Sequence, residues 1–231
     1  MRLLSSLVLI LVLAVPLTAR AQSPVVVELY TSQGCSSCPP ADVFLGKLKD
    51  RDDLIVLSLH VDYWDYLGWK DKFGSPQNTS RQRSYARARG SRSIYTPQIV
   101  VQGVGQGVGS HRSEVNDLID ASAKTTSNVK IEARRVQGKV EIRLSADARE
   151  TVRCVIQLVE YSPLERVTIK RGENSGKTLD YHNVVRHWNE VGTWNGRGDA
   201  VFLVDSKSDL PAVIIVQALD SGPILAAVKV N

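Results

Sequence analysis

The sequence predicts an N-terminal α/β domain followed by an all-β, sandwich-like domain. Three features predict it. Residues 1–21 form an apolar leader, residues 22–127 alternate short buried strands with helices, and residues 128–231 contain closely spaced strand patterns with little helix. The chain has 231 residues, of which 43% are hydrophobic and 23% charged. It is therefore long enough for two modest domains, with the boundary near residue 127.

The leader has the pattern of a secretory signal peptide. Arg2 precedes an uncharged apolar run from Leu3 to Leu17, and Ala19-Arg20-Ala21 supplies the small side chains that a signal peptidase reads. Cleavage is expected to leave Gln22 as the N-terminus, in the periplasm or outside the cell. The alternative is an uncleaved membrane anchor, although the run is short for a bilayer span of about 20 residues. No span is expected after cleavage.

Charge gives little evidence for a nucleic-acid partner. The formal net charge of +5 falls to about +3 when Arg2 and Arg20 are removed with the leader. No aromatic stacking platform accompanies the densest basic cluster, so a solvated helix face is expected there and no nucleic-acid site. This cluster comprises Arg81, Arg83, Arg87, Arg89 and Arg92.

The first elements predict a strand–turn–helix unit that carries two cysteines. Residues 25–30 are rich in β-branched side chains and predict a buried strand. A turn follows, and then Cys35 and Cys38 precede Pro39 at the start of a helix, where proline is tolerated. A second buried strand over 54–61 predicts a parallel pair with the first.

The remaining segments complete the two predicted domains. The order is β-α-β-α-β-β-α up to residue 123, which is the order of thioredoxin. After the second strand, the predicted segments are an insertion at 62–78, a polar helix at 80–89, strands around Pro97 and the glycines of 103–109, and a helix at 113–123. Further strands are predicted at 129–136, 139–144, 151–161, 165–170, 200–204, 212–219 and 224–230.

The C-x-x-C pair predicts thiol–disulfide exchange. A helix N-terminus favours a thiolate, so Cys35 is expected to be the nucleophile and Cys38 the resolving thiol. Cys154 lies far away on a predicted strand and is expected to be a buried inert thiol. The exchange needs no cofactor or metal. Its partners would be a protein thiol or disulfide substrate and a second protein that transfers electrons.

Two other uses of the same cysteines remain open. The pair would bind or deliver a metal such as copper if a histidine, His60 or His111, joined it. Alternatively, it would be a fixed structural disulfide in a binding module.

Four residues outside the pair are candidates for the same site. A cis bond between Thr96 and Pro97 would turn the backbone of Thr96 toward a substrate beside Cys35. His60 ends the second strand and Asp62 follows it, and both are accessory candidates. The structural alternatives are a trans proline that starts an edge strand, a hydrogen-bonded core histidine and packing of the insertion.

Several segments resemble a known family. They are residues 28–42, which include both cysteines, residues 60–71, Tyr95-Thr96-Pro97-Gln98, residues 171–176 and residues 182–186. Together they resemble the secreted thioredoxin-like proteins catalogued as domain of unknown function 1223. The resemblance covers nearly the whole mature chain and implies a thioredoxin-like fold and export, but no substrate. Ser36-Ser37 replaces the Gly-Pro of thioredoxin, which leaves the direction of exchange open.

Overall fold

The computed structural model describes residues 23–146, 152–206 and 208–230. The predicted signal peptide, residues 1–21, lies outside these ranges. Within them, no helix combines the length and the apolar character needed to cross a membrane.

The N-terminal half follows the predicted order of elements. These are β1 (Val25–Thr31), α1 (Pro39–Leu48), β2 (Leu54–His60), a short 3-10 helix (Asp65–Leu67), α2 (Pro76–Ala88), β3 (Gln98–Val101), β4 (Gly105–Val108) and α3 (Arg112–Ala123). Every residue of β1 and β2 is buried, as their apolar runs predict. Helix α2 begins four residues before the predicted start because Ser75 caps it, accepting a hydrogen bond from the Gln77 N–H.

The C-terminal half consists of strands. These are β5 (Lys130–Val136), β6 (Lys139–Ala146), β7 (Cys154–Thr168), β8 (Thr178–Trp194), β9 (Gly198–Asp205), β10 (Ala212–Ala218) and β11 (Ile224–Lys229). The hairpin predicted around Gln137-Gly138 is present. The two strands predicted over 151–161 and 165–170 are one continuous strand, β7.

Strand β8 is absent from the sequence prediction, and its pairing with β7 gives the reason. The register shifts twice along the pair. Ile156 and Gln157 pair with Gly192 and Glu190, and Glu160 and Tyr161 pair with His187 and Val185, so β8 carries an extra residue at each shift. Each bulge moves the side chains that follow to the opposite face, which breaks the alternation that marks a strand.

The protein is a mixed α/β structure with two sheets. The larger sheet has the order β11-β10-β7-β8-β2-β1-β3-β4, and β5-β6-β9 form a small antiparallel sheet. Strand β2 pairs in parallel with both β1 and β8, while the other neighbours in the large sheet are antiparallel. Strands from both sides of residue 127 therefore share one sheet.

Both faces of the large sheet are covered. Helix α2 packs on one face through Tyr85, in a cluster that runs from Val26 of β1 to Ile215 of β10. Helices α1 and α3 cover the opposite face of β1, β2 and β3. The small sheet packs against β7, β10 and β11 through a separate apolar cluster, so the sandwich-like packing involves part of the large sheet.

The predicted solvated basic face is wrong for Arg81. Its guanidinium makes two hydrogen bonds of 2.7 and 2.9 Å to the carboxylate of Glu28, which is fully buried in β1. It also lies 3.9 Å from the centroid of the Trp188 ring. The arginine spacing alone does not reveal this pairing, because Glu28 and Trp188 lie on other elements.

Candidate functional site

The two cysteines form a disulfide at the start of α1. We call residues 32–38, between β1 and α1, the cysteine turn. The Cys35–Cys38 S–S distance is 2.08 Å, and Cys38 is the N-cap residue of α1. Cys35 and Cys38 are only 1% and 0% exposed, whereas Ser36 and Ser37 between them are exposed. The turn therefore presents its serines to solvent and holds its sulfur atoms inside.

The helix start offers few backbone donors to a thiolate. Pro39 and Pro40 have no N–H, and the Cys38 N–H donates to the carbonyl oxygen of Cys35 at 3.3 Å. The Ser37 hydroxyl oxygen lies 3.4 Å from the sulfur of Cys35. A side-chain hydroxyl is therefore placed to contact the sulfur where helix N–H groups usually do.

Thr96 and Pro97 share neighbours with the cysteine turn and the start of α1. Their peptide bond is cis, as predicted. The indole N–H of Trp64 donates to the Thr96 hydroxyl at 2.8 Å, and Trp64 also packs on Gly34 of the cysteine turn. On the other side, a Cβ added to Gly109 would lie within 3.4 Å of both Pro97 and Ala41 of α1. The glycine lets β4 approach the helix start closely.

The loop between β7 and β8, residues 169–177, covers the cysteine turn; we call it the cover loop. The Asn174 side-chain amide donates to the carbonyl oxygens of Gln33 and Cys35 at 3.0 and 2.9 Å. A carboxylate oxygen of Glu173 accepts the Ser36 N–H at 3.2 Å. Asn174 is fully buried and Glu173 is exposed. Sequence reasoning assigned no role to either residue.

A buried hydrogen-bond network holds the cysteine turn in place. One carboxylate oxygen of Asp71 accepts the Gln33 N–H at 2.8 Å and lies 2.7 Å from Nδ1 of His60. The Trp69 indole N–H donates to the Gln33 side chain at 2.8 Å. Burial alone would raise the pKa of Asp71, but the charge of His60 and these hydrogen bonds hold it below its usual value. His60 thus orders the turn through Asp71.

Asp42 is a second buried carboxyl group at this end of α1. Its N–H donates to the Cys38 carbonyl oxygen, so the two residues lie one helical turn apart on the same face. Neither carboxyl oxygen has a hydrogen-bond partner within 3.5 Å. Burial raises the pKa of Asp42 to about 7, although the charge of His60 and the nearby Thr31 hydroxyl oppose the shift.

Further buried polar atoms surround this carboxyl group. His60 Nε2, the Thr31 hydroxyl and the Tyr181 hydroxyl are buried without hydrogen-bond partners, and the Tyr181 ring packs edge-on against His60 with centroids 4.7 Å apart. Burial and the neighbouring carboxylates raise the pKa of Tyr181. Because Asp42, His60 and Tyr181 lie on three different elements, no local sequence pattern indicates that they meet.

Two other cysteine or acidic candidates lie elsewhere. The Asp62 carboxylate accepts a hydrogen bond from the Thr79 hydroxyl at 2.6 Å and so binds α2 rather than the cysteine turn.

Cys154 is a buried free thiol, and burial raises its pKa. In the described ranges no three His, Cys, Asp or Glu side chains are grouped as metal ligands.

Comparison with known proteins finds a family and a full-length structural relative. The model of the family described as "Protein of unknown function (DUF1223)" matches residues 26–217. A crystal structure of a protein from Agrobacterium tumefaciens, determined by a structural genomics consortium, is 30% identical. It covers 91% of this chain and 95% of its own, with a TM-score of 0.78. No curated protein sequence matches the chain.

A more distant structure shares the fold. HBP35 of Porphyromonas gingivalis superimposes with a TM-score of 0.62 at 12% identity, covering 90% of this chain and 74% of its own. At that identity the likeness concerns the fold alone.

Proposed function

Because the chain belongs to the DUF1223 family of proteins of unknown function, we propose its activity from the cysteine turn: it exchanges disulfides with a protein partner. One observation carries the proposal. A C-x-x-C disulfide lies at the start of a helix, after a buried strand, and Trp64 connects Thr96 to the same turn. The proposal includes a thioredoxin-like character for the N-terminal half, since its element order and this arrangement agree with the sequence prediction.

The residues have distinct roles in the proposed exchange. In the reduced protein, the Cys35 thiolate attacks a partner disulfide, forms a mixed disulfide and releases one partner thiolate. The Cys38 thiolate then attacks the sulfur of Cys35, re-forms the Cys35–Cys38 bond and releases the second partner thiolate, so two electrons pass to the partner. Thr96 and Pro97 position the partner chain beside Cys35. A second protein restores the starting redox state.

The proposal places the protein in the periplasm or outside the cell. The leader at residues 1–21 and the disulfide both fit an oxidising compartment, where disulfides persist.

The test is the reduction potential of the Cys35–Cys38 pair in the exported protein, measured against a glutathione series. We expect a value within about −120 to −270 mV, the range of known exchangers. Reduced protein should then alkylate faster at Cys35 than at Cys38, and the Cys38→Ser variant should accumulate a mixed disulfide with a partner. The Cys154→Ser variant is the control and should behave as the parent.

The burial of both half-cystines favours one other function, a binding module with a fixed disulfide. Exposures of 1% and 0% leave little sulfur surface for attack in the disulfide-bonded protein. A potential below about −300 mV would mean a stable structural disulfide and would exclude the exchange proposal.

A further inference from the structure

The cover loop places a carboxylate at the cysteine turn. Glu173 is 137 residues from Ser36 in sequence, yet its side chain accepts the Ser36 N–H at 3.2 Å. Asn174 fixes the same loop by its two hydrogen bonds to the carbonyl oxygens of Gln33 and Cys35. The buried Asn174 therefore fixes the loop backbone next to Glu173. The Glu173 carboxylate is thus held near the cysteine turn although its side chain is exposed.

This carboxylate acts where few backbone N–H donors remain for a thiolate. A thiolate at a helix start usually gains from free N–H groups and from the helix dipole. Here Pro39 and Pro40 supply no N–H, the Cys38 N–H is bonded to a carbonyl oxygen, and Glu173 takes the Ser36 N–H. A negative charge within this set raises the free energy of a Cys35 thiolate relative to the uncharged thiol and the disulfide.

We infer that Glu173 is a positioning residue that sets the redox balance of the cysteine pair, favouring the disulfide over the thiolate-bearing reduced form. The inference deepens the proposed exchange function and rests on it, because it concerns the direction in which the pair would work. Reduction by two molecules of glutathione breaks the Cys35–Cys38 bond, gives two protein thiols and yields one glutathione disulfide. Glu173 opposes this step when a product thiol ionises.

Other charged groups around the turn differ from Glu173 in their setting. Asp42 is buried below it, and Asp71 is paired with His60. The cover loop also carries three cations, Lys170, Arg171 and Lys177, and the Lys177 ammonium donates to the Asn174 side-chain oxygen at 2.9 Å. None of these groups accepts a hydrogen bond from the cysteine turn between Cys35 and Cys38, so Glu173→Gln removes the one negative charge of the cover loop and leaves its three cations in place.

The decisive variant is Glu173→Gln in the exported protein. Glutamine keeps an oxygen that accepts the Ser36 N–H and removes only the charge. A nearby unit charge in a water-like medium shifts an equilibrium by on the order of threefold. The acid dissociation constant of the Cys35 thiol should therefore rise about threefold, measured by the pH dependence of iodoacetamide alkylation and peptide mapping. Added salt should reduce the difference.

The same variant should shift the glutathione equilibrium toward the dithiol by up to the same factor. The shift should grow as the pH rises through the range in which the Cys35 thiol ionises, which a purely structural effect would not do. Glu132→Gln, an exposed change of the same charge on β5, is the control and should match the parent. Equal alkylation profiles for Glu173→Gln and the parent would overturn the inference.

The two proposals fail in different ways. If Glu173→Gln shifts the thiol acidity but no partner disulfide exchanges, the role of Glu173 stands and the exchange function is lost. If exchange occurs and the charge of Glu173 has no effect, the exchange function stands and this inference is lost.

Discussion

Asp42 is a carboxyl group that the fold buries one helical turn beyond Cys38. Its pKa of about 7 in the folded protein exceeds the usual value of 3.8 because burial disfavours the charged form. At pH 3 and below the group is largely neutral in both the folded and the unfolded chain. As the pH rises toward 7 the unfolded chain loses this proton first, so the contribution of Asp42 to stability falls with rising pH.

The Asp42→Asn variant should remove this pH dependence. Relative to the variant, the parent should lose on the order of 4 kcal/mol of unfolding free energy between pH 3 and pH 7. Urea unfolding followed by tryptophan fluorescence at several pH values measures the difference. The exposed Asp52→Asn is the control and should follow the parent. Parallel curves for the parent and Asp42→Asn would show that the burial of this carboxyl does not act as described.

At the residue scale, the sequence predicts those parts of the site that lie in one local pattern. Cys35, Cys38 and Pro97 are recognisable because the strand–turn–helix unit and the proline are local features. Asn174 and Asp71 are not, because their contacts with the cysteine turn join segments far apart in the chain. His60 was a candidate, but only the structure shows that it acts on the turn through Asp71.

Among the elements, the cover loop has the most direct effect on the disulfide. The Asn174→Ala variant should leave the buried carbonyl oxygens of Gln33 and Cys35 without their donor and cost about 2 kcal/mol of unfolding free energy. It should also speed reduction of the disulfide by glutathione, because the cysteine turn loses two of its hydrogen bonds to the cover loop and loosens. Stopped-flow or quenched alkylation measures that rate.

The matched control for the cover loop is Asn128→Ala, which changes an exposed asparagine on the connection to β5. It should alter neither the stability nor the reduction rate. An unchanged reduction rate in Asn174→Ala would mean that the cover loop does not limit access to the disulfide.

At the scale of elements, the sequence best predicts those strands whose pattern of apolar and polar residues is not interrupted. The apolar runs of β1 and β2 and the hairpin of β5 and β6 have intact patterns, and each lies where expected. Strand β8 has two bulges, so its pattern changes face twice within 17 residues. Strand β8, which the sequence does not predict, is also the strand that joins the two halves. The shared sheet is therefore not predicted either.

Across the whole molecule, Arg81 links the N-terminal half, where it pairs with Glu28, to the C-terminal half. Arg81 on α2 bonds to Glu28 on β1 and also to Gln217 on β10, at 3.1 Å. Arg81→Met should leave the Glu28 charge buried without its partner and lower the unfolding free energy by about 3–5 kcal/mol. Adding Glu28→Gln removes the orphaned charge, so the double variant should lose much less than the sum of the single losses.

Urea unfolding of the four proteins in this cycle measures the coupling. The exposed pair Arg166 and Asp180, which joins β7 to β8, provides the control cycle and should show a much smaller coupling because solvent screens it. Additive losses for Arg81 and Glu28 would contradict a buried pair that depends on both members.

The separation of 139 residues between Asn174 and Cys35 has a consequence for the biogenesis of the protein. A ribosome completes the cysteine turn long before it reaches the cover loop, and the chain emerges in that order. During this interval nothing from β7 or β8 lies over Cys35 and Cys38. If the protein is exported as proposed, an oxidising enzyme would meet the nascent pair in its most accessible form, and docking of the late hairpin would then bring the cover loop onto the cysteine turn.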